Sequence, residues 1–169
     1  MITSDPRIRL LARADAAPYR EVRLEGLRQN PEAFASTFAD ECEKPLDWFE
    51  ERIAQSRIFG AFVGPKLLGV VGLRRHDDAK QRHKAILWGM YVRHEARKYG
   101  LGVRLVEAAV AYASDRVEQI QLAVVTENEA ARQLYAKAGF VAYGHQVKAL
   151  KQDGQYHDDI LMVKFLGPN

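Results

Sequence analysis

Two kinds of hydrophobic spacing alternate between residues 83 and 125 of the sequence. The apolar stretches at 83–92 and 120–125 have the length and composition of buried strands. Between them, from 100 to 114, apolar residues recur every three or four positions, as on the buried side of an amphipathic helix: Leu101, Leu105, Ala108, Ala109 and Tyr112. A strand, a helix and a second strand in this order indicate a sheet with a helix packed against it. The chain is therefore predicted to be a mixed α/β protein.

The flanking segments extend this sheet at both ends of the chain. The preceding elements are predicted in this order: a strand at 8–13, a helix that Asp15 caps and Pro31 interrupts, a helix from Pro45, and a hairpin of strands 58–63 and 66–74 around Gly64-Pro65. The following elements are a helix at 129–138 that ends at Gly139, and a hairpin of strands 140–150 and 156–165 around Asp153-Gly154. Only the second half of the chain alternates strands with helices.

Length and composition favour one independently folded domain. The 169 residues match the size of a single domain, and 47% hydrophobic with 28% charged residues can form a core and a solvated surface. The net charge of +3 comes from dispersed basic residues, which argues against a dedicated nucleic-acid surface. No apolar run approaches the roughly 20 residues of a membrane span, and the start lacks the apolar core of a secretory signal, so we expect a cytoplasmic location.

The cysteine and histidine residues offer little metal or disulfide chemistry. Cys42 is the only cysteine and has no partner for an intramolecular disulfide. The five histidines lack the spacing of metal ligands, so no metal is expected. The run His157-Asp158-Asp159 is interpreted as a solvated turn edge.

The first candidate site is the segment Arg97-Lys98-Tyr99-Gly100-Leu101-Gly102-Val103, between the strand that ends at Val92 and the amphipathic helix. The first turn of a helix has N–H groups without intrahelical partners and a partial positive charge, so it can bind a pyrophosphate. The two glycines alone fit a turn and close helix packing equally well. A Walker loop is excluded because Val103-Arg104 follows Gly102, and a dinucleotide fingerprint is disfavoured because Leu105 occupies the third glycine position.

The second candidate site lies on the predicted helix at 129–138 and the residue before it. Asn128 and Tyr135 are seven positions apart, which is two helical turns, so they share a face with the small residue Ala131. That face leaves room for a ligand. The alternative is a capping asparagine and a half-buried core tyrosine.

Together, the two segments resemble the GNAT superfamily of acyl-CoA-dependent N-acyltransferases. The family's Arg/Gln-x-x-Gly-x-Gly/Ala loop corresponds to Arg97 through Gly102, and its Asn-x-x-Ala-x-x-Leu-Tyr-x-x-x-Gly-Phe segment corresponds to Asn128 through Phe140. The resemblance implies a single N-acetyltransferase domain over 1–169. It also implies a mostly antiparallel sheet that opens into a V between the strands 83–92 and 120–125, with the cofactor in the opening.

The resemblance also implies roles for individual residues in binding the cofactor, acetyl-CoA. Backbone groups of Met90 and Val92 would pair with the pantetheine arm, and amides from Lys98 to Val103, which include Tyr99 and Leu101, would bind the pyrophosphate. Asn128 would face the arm and Tyr135 would reach the sulfur. Phe34 and Phe38 would line the acceptor site, as the corresponding region does in relatives.

The implied reaction is transfer of an acetyl group to a primary amine of a small molecule or a protein. The amine attacks the thioester through a tetrahedral oxyanion, for which N–H groups around Met90 and Tyr91 are candidate donors. Tyr135 would protonate or stabilise the departing thiolate. The strand position that carries a catalytic glutamate in some relatives is Ile86, so the general base stays open among water, Glu32, Glu41 and His83.

The sequence leaves other outcomes open for assembly and activity. No membrane or nucleic-acid partner is expected, and a homodimer is compatible with the sequence. A non-catalytic acyl-CoA-binding regulatory module is the alternative function, and it would bind CoA without turnover.

Overall fold

A seven-stranded sheet forms the centre of the protein. The computed structural model describes residues 5–167, so both ends of the predicted 1–169 domain lie outside the described residues. The strands are β1 (Arg7–Leu10), β2 (Arg57–Val63), β3 (Lys66–Arg75), β4 (Lys84–Val92), β5 (Gln119–Val125), β6 (Val141–Gln152) and β7 (Gln155–Phe165). Their spatial order is β1-β2-β3-β4-β5-β7-β6. The predicted mixed and mostly antiparallel sheet is confirmed, since β4 and β5 are the parallel neighbours in it.

Five α-helices cover the two faces of this sheet. They are α1 (Ala16–Gln29), α2 (Phe38–Cys42), α3 (Leu46–Gln55), α4 (Leu101–Ala113) and α5 (Glu129–Lys137). One hydrophobic cluster packs α4 and α5 on one face, through residues such as Leu105, Val106 and Ala109. A second cluster packs α1 and α3 on the opposite face, through residues such as Val22, Phe49 and Ile53. The helical spacing at 100–114 therefore predicts the buried side of α4 correctly.

The sheet opens between β4 and β5. Their parallel pairing joins residues 84–86 to 119–121 and stops at the pair Ile86 and Gln121. On its other edge β4 stays paired with β3 up to Val92. The edge of β4 that faces β5 is therefore unpaired from Leu87 onward, and this gap is the V that the family resemblance implies.

Turn chemistry explains where the hairpins reverse. The Asp153-Gly154 turn has positive φ at both residues, 48° and 81°, as a two-residue hairpin with the strand twist requires. Gly139 follows α5 with a φ of 90°, which closes the helix as predicted.

Two details differ from the sequence prediction. Asp15 does not cap α1 with its side chain, which instead accepts a hydrogen bond from the Ala12 amide and pairs with Arg9. The helix α2 was not predicted, because it is only five residues long.

Candidate functional site

A β-bulge lies in β4 beside the opening of the sheet. Val70 pairs with Tyr91 and Gly72 pairs with Trp88, so Gly89 and Met90 together oppose the single residue between Val70 and Gly72. Gly89 has a φ of 63°, a backbone conformation that glycine adopts without a steric penalty. The bulge changes the direction of the β4 backbone groups directly beside the unpaired edge.

The turn that leads into α4 is exposed to solvent, whereas Leu101 and Gly102, the first two residues of the helix, are buried. A 3₁₀ turn, His94–Tyr99, follows β4, and Gly100 then adopts a left-handed φ of 69° immediately before the helix. Arg97, Lys98, Tyr99 and Gly100 are all exposed. The Arg104 amide donates to the Gly100 carbonyl at 3.2 Å, so the amides of residues 101–103 precede this first turn of hydrogen bonds. This arrangement suits an anion, since several N–H groups and the helix dipole point to the same place.

Glycine is favoured at positions 100 and 102 for different structural reasons. A Cβ on Gly102 would lie 2.7 Å from Leu134 Cδ1 and 3.2 Å from Met90 Cε, so close packing requires a small residue there. A Cβ on Gly100 would meet nothing within 4 Å, and only the backbone conformation favours glycine. The contacts of Gly102 also show that the end of β4, the start of α4 and the helix α5 meet at one point.

Replacing Gly100 by alanine is expected to destabilise the protein by about 1–2 kcal/mol, the cost of a left-handed conformation for a residue with a Cβ. Urea unfolding would measure this change. Gly100→Asn is the matched control, because asparagine tolerates the left-handed region and should recover much of the lost stability. Equal stability of Gly100→Ala and the wild type would show that the turn relaxes to a right-handed conformation.

The side chains of Arg97 and Tyr91 reach α1 and its C-terminal cap. Arg97 Nε donates to the Val92 carbonyl at 3.1 Å, and Arg97 Nη2 donates to Asn30 Oδ1 at 3.3 Å. Tyr91 is buried, and its hydroxyl donates to Glu25 Oε1 at 3.0 Å. Burial and this carboxylate raise the pKa of Tyr91. Arg97 therefore joins the end of β4 to the end of α1, and Tyr91 offers only its backbone to the unpaired edge.

The helix α5 carries the two residues of the second candidate site. Asn128 Oδ1 accepts a hydrogen bond from the Ala131 amide at 3.2 Å, so Asn128 caps the helix. Tyr135 is 7% exposed and packs edge-to-face on Phe140, with 6.0 Å between ring centroids. Burial raises the pKa of Tyr135 well above its ordinary value. The phenol is therefore neutral and keeps its proton across the physiological pH range.

A cavity of about 500 Å³ lies where β4 and β5 separate. Residues 86–89 of β4, Ala123 and Val125 of β5, and the aromatic side chains of Phe34, Trp48 and Trp88 line it. Phe38, the other residue predicted to line an acceptor site, packs under the guanidinium of Arg28, with 4.4 Å from Arg28 Cζ to the ring centroid. Phe38 is not among the residues described as lining the cavity.

The three side chains named as candidate bases from the sequence are not among the residues described as lining this cavity. Glu41 is 3% exposed and bound by Arg23 and Arg52 at 2.8 and 3.1 Å. Burial alone would raise the pKa of Glu41, but the hydrogen bonds and charges of the two arginines lower it overall. Glu32 and His83 are not among the residues described as lining the cavity, whereas Ile86 is.

Asp159 is a buried acidic residue of this cavity that the sequence analysis missed. It lies on β7, pairs with Val125 of β5, and is 8% exposed. The predicted solvated turn edge at His157-Asp158-Asp159 is therefore wrong for Asp159, although Asp158 is more exposed and bonds to His145. Successive side chains of a strand point to opposite faces of the sheet, so Asp158 and Asp159 lie on opposite faces of β7.

The sequence matches the model of the Acetyltransferase (GNAT) family over residues 23–140. This match covers more than half of the chain and includes both motif segments. The chain belongs to the GNAT acetyltransferase family. As a member, it is an acyltransferase. A search of curated proteins gives no match.

Solved structures share this fold. A GNAT-family acetyltransferase from Streptococcus pneumoniae is 26% identical, with a TM-score of 0.84 over 96% of this chain and 100% of that chain. A Salmonella typhimurium structure, solved with its cofactor acetyl-CoA, is 17% identical, with a TM-score of 0.82 over 98% of this chain and 96% of that chain. The ribosomal-protein-alanine N-acetyltransferase from Brucella melitensis is 20% identical, with a TM-score of 0.82 over 95% of this chain and 99% of that chain.

Two further observations concern metal sites and membrane-spanning helices in this GNAT protein. Within residues 5–167, no group of three or more histidine, cysteine, aspartate or glutamate residues is arranged to hold a metal ion. No helix in the same range combines the length and the apolar character that crossing a membrane requires.

Proposed function

We propose that this chain is an acetyl-CoA-dependent N-acetyltransferase that acts on a primary amine of a small molecule or a protein. The observation that carries the proposal is the unpaired edge of β4 beyond Ile86, which has the exposed turn before α4 at one end and the cavity beside it. An extended thioester cofactor needs such an edge, with an anion site at one end and an acceptor site at the other.

The start of α4 is the proposed pyrophosphate site. The amides of residues 98–103 supply donors, and the helix dipole adds a partial positive charge. The exposed side chain of Lys98 adds a full charge at the same place. Arg97 would act by fixing the turn through the Val92 carbonyl, since its guanidinium is already bonded there.

The pantetheine arm would lie along β4 as a partial extra strand. Backbone groups of Met90 and Val92 are the proposed partners, because the β5 side of this strand segment has no strand neighbour. Asn128 caps α5 with its Oδ1 and keeps its side-chain amide donors for the arm. The bulge at Gly89 supports N–H groups near Met90 and Tyr91 as donors to the tetrahedral oxyanion.

Tyr135 is the proposed general acid for the departing thiolate. A free thiol has a pKa of about 8.5, so CoA leaves as a thiolate that needs a proton or a hydrogen-bond donor. The raised pKa of Tyr135 keeps its phenol protonated, so the donor is present at every physiological pH. The edge-to-face packing on Phe140 fixes the orientation of its ring.

The activity itself can be measured by the release of free CoA thiol. Purified protein, acetyl-CoA and a panel of primary amines should release thiol in proportion to the enzyme, and the acetylated amine should be found by mass spectrometry. Reactions without amine measure the background hydrolysis. Saturable CoA binding without thiol release from any amine would contradict catalysis and favour a binding module.

A further inference from the structure

Asp159 is a buried carboxylate whose position in the cavity is not explained by the fold. It is 8% exposed, and its Oδ1 is buried without a hydrogen-bond partner among the described residues. It pairs through its backbone with Val125 of β5 and lines the cavity beside Trp88 and Gly89. A buried carboxylate without a partner is unfavourable for folding, because its desolvation is not offset. Such a group is retained where a ligand supplies the partner.

Asp159 forms no ion pair among the described residues. Burial raises the pKa of Asp159, and the negative charges of Glu127 and Asp158 raise it further, while His157 lowers it. Glu51 and three arginines also line the cavity: Arg23, Arg52 and Arg74. Arg23 and Arg52 are bound to Glu41. Arg74 is an exposed residue on β3 and forms no ion pair among the described residues.

We propose that Asp159 binds the ammonium group of the acceptor and accepts its proton, which makes Asp159 the general base of this enzyme. This inference rests on the proposed acetyl transfer. The aromatic side chains of Trp48, Trp88 and Phe34 line the same cavity, so the acceptor that fits is a protonated primary amine on an apolar or aromatic body. The carboxylate gives specificity for a cation, and the rings bind the remainder of the acceptor.

The proton balance of the reaction is complete with these two residues. Asp159 takes one proton from the acceptor ammonium, and the neutral nitrogen then attacks the thioester carbon. The C–S bond of the tetrahedral intermediate breaks, and the sulfur receives a proton from the Tyr135 phenol. The nitrogen loses its second proton, which restores the phenol, and Asp159 releases its proton to water. The products are the acetylated amine, CoA thiol and one proton.

A raised pKa suits a base of this kind. An ordinary aspartate, with a pKa of about 3.9, is a weak proton acceptor for an ammonium with a pKa of about 10. A carboxylate in a desolvated site is a stronger base, because the neutral form is favoured. The bound ammonium also loses hydration in the same site, and this shifts its proton toward the carboxylate.

The test uses Asp159→Asn with two acceptors of the same shape. Phenethylamine is an alkylammonium at neutral pH, and its isostere O-benzylhydroxylamine, with oxygen in place of one methylene, is uncharged. For phenethylamine we expect kcat to fall about 10²-fold or more, the usual contribution of a general base. For O-benzylhydroxylamine the loss of kcat in the variant should be at least about tenfold smaller, because that acceptor has no ammonium proton to remove. If another alkylamine of the panel is a better acceptor, it and its aminooxy isostere replace this pair.

Asp153→Asn is the matched control, because it removes an exposed carboxylate from the β6–β7 turn, where asparagine tolerates the positive φ. For both acceptors, the kcat of this control should stay close to that of the wild type. The effect of Asp159→Asn on folding is measured separately. The raised pKa of Asp159 means that the ionised carboxylate destabilises the folded state above that pKa, and this penalty disappears as the pH falls through it. Asp159→Asn should therefore have a higher Tm than the wild type at pH 7, and the difference should narrow at acidic pH.

The outcomes separate the two proposals. If the wild type acetylates no amine, the proposed function is wrong and the role of Asp159 falls with it. If the wild type is active and Asp159→Asn matches it with alkylamines, acetyl transfer stands and Asp159 is not the base. Equal losses for the charged and the uncharged acceptor would also overturn the assignment, because they would indicate a structural role.

Discussion

Replacing Tyr135 by phenylalanine is expected to lower kcat by about 10²- to 10⁴-fold, the range of a general acid. The dissociation constant for acetyl-CoA should change little, because the variant keeps the ring that packs on Phe140 and loses only the hydroxyl. The loss falls on the step that breaks the C–S bond, since the thiolate then departs without a donor. Steady-state kinetics with a saturating amine would measure kcat, and calorimetric titration with acetyl-CoA would measure the dissociation constant.

Tyr112→Phe is the control for the removal of a tyrosine hydroxyl. Tyr112 lies on α4, and its hydroxyl accepts a hydrogen bond from Arg57 at 2.9 Å on the surface of the protein. This variant should keep the kcat of the wild type. Retention of full kcat by Tyr135→Phe would show that water or another group protonates the thiolate. Parallel losses of kcat, CoA affinity and Tm would assign Tyr135 to packing.

The motifs at the start of α4 and on α5 were predictable because their geometry is local. A helix begins where Gly100 can adopt positive φ, and the spacing of Asn128 and Tyr135 follows from 3.6 residues per turn. Hydrophobic spacing likewise gives the buried face of α4. These features depend on neighbours within a few positions, so the sequence alone is sufficient to predict them.

Asp159 was not predictable, because its environment depends on strand register. Its neighbours His157 and Asp158 are polar, and a polar run next to a hairpin turn indicates an exposed edge. The pairing of Asp159 with Val125 places it against the opening of the sheet instead. A shift of one residue would turn Asp158 to that face. Only the assembled sheet defines which of the two carboxylates is buried.

Glu41 shows a second kind of limit, since its partners come from distant segments. Arg23 lies on α1, Glu41 on the unpredicted helix α2, and Arg52 on α3. Glu41 and Arg23 are 3% and 4% exposed and form two hydrogen bonds of 2.8 and 2.9 Å. Acidic residues on both sides of Glu41 indicate a solvated segment in the sequence. Helix packing is what makes this one carboxylate a buried ion-pair partner.

Replacing Glu41 by alanine is expected to reduce the free energy of unfolding by about 3–5 kcal/mol, because it leaves a buried arginine charge without its partner. Urea unfolding at neutral pH would measure the loss. Glu43→Gln is the control, since Glu43 is exposed two positions away, and its effect should be within about 0.5 kcal/mol. A loss below about 1 kcal/mol for Glu41→Ala would mean that water from the cavity solvates the guanidinium groups.

The pH dependence of the same variant separates the charge from the packing. The arginines lower the pKa of Glu41, so its ion pairs stabilise the protein above the pKa of the unfolded state, about 4.3, and this contribution is lost as the pH falls through the lower folded pKa. The difference between wild type and Glu41→Ala should therefore narrow in acid. Arg23 Nη1 also lies 3.5 Å from where a Cβ of Gly89 would stand, directly beside the β4 bulge. Loss of Glu41 should consequently lower kcat as well as stability, because Glu41 fixes an arginine that lies next to the bulge and lines the cavity.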